Sequence, residues 1–247
     1  WKAASGRASA LCRQQLTRAA RRAAAMAVDR EQIATLLFQD RSCQANGPLP
    51  PDVLGYDENL RPFPYDPRGA RELLSRSGYP NGFKITLITY ENTRPYNPAG
   101  GEKLAKAVRE DFLKAGIDAE IKTYPWLQYK EALLREEGNA FLYGWIGDNG
   151  DPDNFLYTLL SSSQIENGLN ASRYRNSEVD LLLFKAQQET EPVLREQLYR
   201  KAVRAIVQDT PWVFLNHSLA LSAVSPGIEG FILNPVGFQP LFNIHKK

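Results

Sequence analysis

Between residues 83 and 146 the sequence alternates short apolar segments, typical of β-strands, with segments of helical periodicity. Strands are predicted over Phe83–Tyr90, 119–123 and 140–146, and helices over 101–115 and 127–136. Strands joined by helices pair in parallel, because the chain must re-enter the sheet from the same end each time. The pattern therefore predicts an α/β layer with parallel strands flanked by helices.

The segments before this layer have a different character. A single helix is predicted over 16–38, where alanine and larger apolar residues recur near helical spacing. Residues 39–65 contain the runs NGPLPP and RPFPYDP, and prolines at this density exclude helices and central strands. Asp66 is then expected to cap a short helix that begins at Pro67 and stops at Gly78.

After the layer, two amphipathic helices are predicted over 177–189 and 192–208, and apolar β-type runs follow residue 210. The first sixteen residues fit neither pattern, so a misread frame or a foreign junction is expected there, and they should pack on nothing. The chain is therefore predicted to divide into four parts, which are residues 1–16, 17–65, 66–209 and 210–247.

Charge and composition exclude several classes of protein. The formal net charge is +2, and residues 1–25 carry six basic side chains and no acid. The rest of the chain is mildly acidic, so nothing indicates a basic face, and no nucleic-acid partner is expected. No run of about 18 apolar residues is present to span a bilayer. The two cysteines and two histidines lack the spacing of a zinc site or a histidine-dependent triad.

The polar run GDNGDPDNF follows the third predicted strand, at a position where loops of open α/β sheets line crevices. Asp148 beside Trp145 can pair with a ligand ammonium whose apolar part lies on the ring. Asp151 and Asp153 are expected to satisfy turn amides and cap the next helix. A calcium loop is not predicted, because Asp153 and Leu159 stand where an EF-hand has glycine and glutamate.

A second candidate, Arg94, lies in ENTRPYNP directly after the first predicted strand, between Pro95 and Pro98. An arginine in a stiff loop can bind a carboxylate through two parallel hydrogen bonds, although it can equally be an exposed loop residue. The sequence contains no GxSxG, P-loop, GxGxxG or HExxH motif. A catalytic site is therefore not indicated, and no cofactor or metal is expected.

Six runs together resemble the C-terminal half of the family 5 solute-binding proteins of ABC importers, with the dipeptide-binding branch most similar. The likeness covers residues 22–247, and its most specific part is GWIGDNGDPDNF. The runs are AAAMAVDREQI, NGPLPPDVLGYD, YDPRGARELLSRSGYPNGF, RPYNP, GWIGDNGDPDNFLYTLL and PWVFLNH.

The resemblance implies an α/β fold like that of type II periplasmic binding proteins. This chain would be its C-terminal lobe, with a mixed or parallel sheet flanked by helices, plus incomplete pieces of the first lobe. It implies a monomeric extracytoplasmic receptor that is not an enzyme, binds di- or oligopeptides and delivers them to an ABC permease. By the same resemblance Asp148 binds the peptide ammonium, Arg94 binds the terminal carboxylate, and Trp145 lines the crevice.

The sequence departs from the family pattern in three respects. Whole members are about twice this long, the segment WKAASGRASALCRQQLT does not match, and SSSQIENGLNASRY lacks the cysteine pair of some dipeptide binders, which excludes a disulfide there. Three alternatives stay open. They are a receptor for another solute, such as a nickel chelate or a sugar, a hydrolase using loop carboxylates, and a structural or chaperone-like protein without ligand.

Overall fold

The computed structural model describes residues 3–12, 16–39, 41–166, 168–234 and 240–247, and of 3–12 it describes the backbone. The strands are β1 (Ala3–Cys12), β2 (Ser42–Gln44), β3 (Phe83–Tyr90), β4 (Ile117–Tyr124), β5 (Ala140–Tyr143), β6 (Trp212–Ala220), β7 (Ile228–Glu229) and β8 (His245–Lys246). The helices are α1 (Arg18–Ala27), α2 (Arg30–Phe38), α3 (Pro67–Arg76), α4 (Gly101–Lys114), α5 (Trp126–Leu134), α6 (Pro152–Leu160), α7 (Ser177–Gln188) and α8 (Pro192–Asp209).

Six strands form one mixed sheet in the order β2-β6-β1-β5-β3-β4. The predicted parallel layer consists of the last three strands in this order, β5, β3 and β4. Strand β3 pairs in parallel with β4 along its whole length, and in parallel with β5 at Leu87↔Ala140 and Ile88↔Phe141. The other pairs of this sheet are antiparallel. The prediction of an α/β lobe with a mixed sheet is therefore confirmed.

Helices cover the sheet because the parallel strands need crossovers. Helix α4 leads from β3 to β4 on one side, and α5 returns past β3 to β5, so right-handed crossovers put the two helices on opposite faces. Leu104 and Phe112 of α4 and Tyr129 of α5 are fully buried against the sheet. Burying such side chains is the main favourable contribution to the folding of this layer.

The helix predicted over 16–38 is wrong in one respect, because the structure has two helices there. Val28 is extended, and the carboxylate of Asp29 accepts a hydrogen bond from the Gln32 N–H at 2.9 Å, which starts α2. The Asp29 N–H donates to Asp111 Oδ2 of α4 at 2.9 Å. Asp29 therefore starts a new helix within a sequence whose pattern is continuously helical, and the chain changes direction there. The cap of α3 is as predicted, with Asp66 accepting from Gly69 and Pro67 first in the helix.

The third strand of the layer also differs from the prediction, since it ends at Tyr143 rather than at residue 146. After it the chain packs onto α6 instead of continuing the ladder. A Cβ on Gly147 would lie 2.6 Å from a ring carbon of Phe155, so the backbone approaches this helix too closely for a side chain. The apolar run after Tyr143 therefore belongs to a packed loop.

The beginning of the chain is placed differently from the expectation that residues 1–16 pack on nothing. The backbone of β1 lies between β5 and β6 and pairs with both, for example Leu11↔Phe141 and Leu11↔Trp212. Backbone hydrogen bonds do not depend on side-chain identity, which is why an atypical sequence can occupy this position. Residues 1–2 and 13–15 lie outside the described residues, and a foreign origin for residues 1–16 stays a prediction.

The predicted division into 17–65, 66–209 and 210–247 also stays a prediction, and the described segments pack closely on one another. The guanidinium of Arg21 in α1 donates to the carbonyls of Asp209 and Thr210 at 3.0 Å each. The Asp66 N–H donates to the Met26 carbonyl at 2.8 Å. Among the described residues, none of the helices is both long and apolar enough to cross a membrane.

Candidate ligand-binding site

The carboxyl ends of β3, β4 and β5 meet at one edge of the sheet, because these strands run in the same direction. Each strand is followed there by a loop or helix start that carries an aromatic or charged side chain. Ligands of open α/β sheets bind at this edge, where loops leave the strands. The residues concerned are Arg94, Trp126, Trp145 and Asp148.

Arg94 lies in a tight turn that is tied to β3. Its N–H donates to the Asn97 carbonyl at 3.0 Å, and the Asn97 N–H donates back at 2.8 Å. The side chain of Asn97 is fully buried, and its Nδ2 donates to the hydroxyl of Tyr90 at 3.0 Å. The rigidity predicted from Pro95 and Pro98 therefore has a second source, a buried amide that anchors the turn.

The guanidinium of Arg94 rests on an aromatic platform. Its carbon lies 3.7 Å from the centroid of the Trp126 ring and 5.9 Å from that of Tyr90. Trp126 in turn packs against Tyr129, with ring centroids 5.8 Å apart. Stacking of this kind holds a guanidinium plane in one orientation at little further entropic cost. Sequence reasoning missed Trp126, although a tryptophan directly after Pro125 and β4 was a usable signal.

No anion neutralises Arg94 within the described part of the chain. Its Nε is buried and has no hydrogen-bond acceptor there. The nearby phenols stay neutral, since burial raises the pKa of Tyr90 to about 12. Burial, together with the neighbouring Tyr90 and Tyr143, raises the pKa of Tyr96 further. The positive charge is therefore available to a ligand, and nothing in the turn competes for it.

Asp148 and Trp145 lie together and share a partner. The indole Nε1–H of Trp145 donates to Asn154 Oδ1 at 2.8 Å, and the Asp148 N–H donates to the same oxygen at 3.1 Å. Asn154 Nδ2 donates to Asp148 Oδ2 at 3.1 Å. Asp148 is exposed and Trp145 is half-buried. Sequence reasoning did not single out Asn154, because its role depends on the fold of the loop back onto α6.

The other aspartates of the loop have structural contacts. Asp151 caps α6 by accepting from the Asp153 N–H at 2.9 Å, as predicted, and it forms two bonds of 2.8 and 3.0 Å with Arg195. Burial works to raise the pKa of Asp151, but these hydrogen bonds outweigh it and the pKa is lowered. Asp153 instead accepts from Gln187 of α7 at 3.0 Å. The end of the loop that enters α6 is therefore held by side chains of both α7 and α8.

Two pieces of the site are thus assembled on neighbouring strands. Arg94 with Trp126 lies beyond β3 and β4, and Asp148 with Trp145 lies beyond β5. Arg94 and Asp148 do not form an ion pair with each other, so each charge stays open to an outside group. Within the described residues no cluster of three or more histidine, cysteine, aspartate or glutamate side chains could hold a metal ion.

The mixed sheet with helices on both faces is the architecture of a lobe of the type II periplasmic binding protein class, as superposition on solved members shows. Comparison with known proteins places the chain further. It belongs to the bacterial extracellular solute-binding proteins of family 5, because the sequence profile described as "Bacterial extracellular solute-binding proteins, family 5 Middle" matches residues 17–167. The resemblance inferred from the six sequence runs is confirmed.

Two curated relatives illustrate the likeness. The chain is 36% identical to heme-binding protein A of Haemophilus influenzae over 91% of its own length and 41% of the relative's. It is 34% identical to the dipeptide-binding protein of Pseudomonas aeruginosa over 91% of the chain and 42% of the relative. The chain therefore spans about two fifths of the length of the curated relatives that it matches.

Solved structures agree on the fold. HbpA2 of Haemophilus parasuis superposes with a TM-score of 0.91 at 30% identity, over 99% of this chain and 49% of that one. The dipeptide-binding protein of Pseudoalteromonas sp. SM9913, solved in complex with Met-Leu, superposes with a TM-score of 0.89 at 29% identity. That match covers 100% of this chain and 50% of the other.

Proposed function

We propose that this chain is the peptide-binding part of a solute-binding protein that serves an ABC importer. The observation that carries the proposal is the presence of two opposite, uncompensated charges at one sheet edge, Arg94 beyond β3 and Asp148 beyond β5. A zwitterionic di- or tripeptide offers one carboxylate and one ammonium to such a pair. A relative named dipeptide-binding protein and a solved neighbour holding Met-Leu support the same ligand class.

Arg94 is proposed to bind the terminal carboxylate of the peptide. A guanidinium can form two parallel hydrogen bonds with a carboxylate, and the plane in which it does so matters. Trp126 holds that plane, since the guanidinium carbon lies 3.7 Å from its ring centroid. We therefore add Trp126 to the residues predicted from the sequence.

Asp148 is proposed to bind the peptide ammonium, with Trp145 beside it. A charge-assisted hydrogen bond from an ammonium to a carboxylate is stronger than one between neutral groups. The half-buried indole offers an apolar surface to the first side chain of the peptide, and its N–H is already satisfied by Asn154. The ligand can therefore lie on the ring without leaving a buried donor unpaired.

The remaining parts of the proposal follow from the family. We propose an extracytoplasmic location, a membrane permease of the ABC type as partner, a monomeric state and no catalytic activity. The family description is of extracellular binding proteins, and one solved neighbour at 29% identity is titled an ABC transporter-associated periplasmic binding protein in complex with a peptide.

Haem is the main alternative ligand, because one relative at 36% identity is named heme-binding protein A. Haem carries carboxylates that Arg94 could bind, but it has no ammonium for Asp148. The free acidic charge therefore favours the peptide.

The two ligands can be separated by titrating the ¹⁵N-labelled chain at millimolar ligand with a free dipeptide, its N-acetyl form, its C-terminal amide and haemin. Under the proposal the free dipeptide binds best and each blocking group weakens binding. Equal shifts with all three peptides, or a preference for haemin, would contradict it.

A further inference from the structure

Asn154 is the third residue of α6, and it joins the two parts of the site that lie beyond β5. Its Oδ1 accepts from the Trp145 indole at 2.8 Å and from the Asp148 N–H at 3.1 Å. Two donors face this atom, so it must be the oxygen of the amide. The Nδ2 group then donates to Asp148 Oδ2 at 3.1 Å.

This set of bonds requires an amide. A carboxylate at position 154 could accept from the two donors but could not donate to Asp148, and a shorter hydroxyl could not reach both sides. The bonds also occupy only one carboxylate oxygen. No described residue donates to Asp148 Oδ1, which is therefore open to solvent and to a ligand.

The support for Asn154 is rigid. Asn154 lies in the first turn of a helix that is capped by Asp151. Asp151 is itself held by two hydrogen bonds from Arg195 of α8. Pro152, next to the cap, is buried. The position of the amide is therefore set by α6, which packs on α7 and is tied to α8 through Asp151, and not by the exposed loop that carries Asp148.

We propose that Asn154 is a positioning residue of the peptide site, which turns the Asp148 carboxylate toward the peptide ammonium and locks it to the Trp145 ring. This inference rests on the proposed function. Recognition of the amino end of the peptide would then depend on Asn154, a side chain that does not touch the peptide. Trp145 and Asp148 would move together, because both are bonded to Asn154.

The first experiment tests the hydrogen bonds themselves. The chain has four tryptophans, so the indole N–H signal of Trp145 can be assigned in ¹⁵N spectra with a Trp145→Phe variant. In Asn154→Ala this signal should move upfield and exchange faster with water. In Asn154→Asp it should stay downfield, because the acceptor is retained. Asn149→Asp, the same change in the same loop, should leave the signal unchanged.

The second experiment tests the effect on recognition. In the parent chain a free dipeptide should bind better than its N-acetyl form. Asn154→Ala should reduce this preference about 3- to 10-fold, which is the loss expected for one net hydrogen bond. Asn154→Asp should make the preference depend on pH between about 4 and 7, because two adjacent carboxylates titrate together. An added acid is favourable near a helix N-terminus, so this variant should fold.

The possible outcomes are distinct. If the parent chain does not distinguish free from acetylated peptide, the proposed function fails and this inference fails with it. If the parent distinguishes them and Asn154→Ala does so equally well, only the positioning role is overturned. An unchanged Trp145 signal in Asn154→Ala would also overturn it.

Discussion

The guanidinium carbon of Arg94 lies 3.7 Å from the centroid of the Trp126 indole, so the cation is presented on a flat apolar surface. The two residues are 32 positions apart and follow neighbouring parallel strands. The turn of Arg94 and Asn97 fixes where the arginine backbone lies, and the contact with Trp126 fixes the orientation of the guanidinium.

Replacing Trp126 by leucine should weaken binding of peptides with a free carboxylate by up to about tenfold, because the guanidinium would lose the ring that fixes its orientation. A contact of this kind contributes on the order of 1–2 kcal/mol, which sets the upper limit of the effect. Peptide amides should lose much less. The measurement is a pair of NMR titrations, with the exposed neighbour Leu127→Ala as control. A similar loss for free acids and amides would show that the ring does not act through Arg94.

Replacing Asp148 by asparagine should weaken binding of dipeptides with a free amino end about tenfold or more and leave N-acetyl peptides almost unaffected. The acetylated ligand lacks the ammonium, so it has no charge to lose. Dissociation constants for both ligands provide the test, and Asp52→Asn, an exposed aspartate outside the site, is the control. Equal losses for the two ligands would reject this assignment.

Peptides should survive incubation with the chain unchanged, since no nucleophile and base were found at hydrogen-bonding distance at this edge of the described structure. Chromatography of a dipeptide after prolonged incubation checks this expectation. Hydrolysis that follows the purified chain and is lost in Asp148→Asn would instead support the hydrolase alternative.

Deleting residues 1–12 should lower the melting temperature by several degrees or more and broaden the transition, because β5 and β6 would both lose the strand between them. Deleting residues 240–247, which include the exposed β8, is the matched control. Ala8→Pro, which removes a backbone donor within β1, should act in the same direction as the first deletion. An unchanged melting temperature would favour a foreign segment that packs on nothing.

The buried carboxylate of Asp57 should stabilise the fold in a pH-dependent way. Hydrogen bonds from Arg204 at 2.8 and 3.1 Å lower its pKa from the ordinary 3.8, although burial opposes this. Its contribution is therefore complete above the ordinary pKa of the unfolded chain and is lost as the pH falls through the lower folded pKa. Asp57→Asn should cost about 1.5–3 kcal/mol at pH 7 and progressively less below pH 4.

Urea denaturation at pH 7 and at pH 3 measures this difference. The control is Glu58→Gln, because Glu58 is the next residue and is exposed. A cost for Asp57→Asn that does not change with pH would mean that the loss comes from packing and not from the charge.

The parts of this fold that could be predicted are those with local signals. Asp66 with Pro67 marks a helix start, and alternation over Phe83–Tyr90 marks a strand, because capping and periodicity act over a few residues. The break at Asp29 was missed since alanines on both sides continue the helical pattern. The bond from its N–H to Asp111, which ties that turn to α4, joins residues 82 positions apart.

The residues of the candidate site also separate into those with a local sequence signal and those defined by distant contacts. Asp148 and Arg94 could be proposed because charged residues directly after strands are visible in the sequence, and their binding roles stay predictions. The position of Trp126 directly after β4 was a usable signal, but its role was not visible. The same holds for the role of Asn154, because each residue acts through a contact with a side chain from another segment or from the far side of a turn. Sequence periodicity carries no information about such contacts.

The position of β1 has a consequence for how the molecule is made. This strand precedes its neighbours in the sheet along the chain by a long interval, since they begin at residues 140 and 212. About 200 residues must therefore be synthesised after β1 before the central ladder can close, and at about 5–20 residues per second this strand waits many seconds for its partners. Long-range pairing of this kind folds slowly and leaves strand edges open meanwhile. Newly made chains should accordingly depend on a holding chaperone more than their final stability suggests.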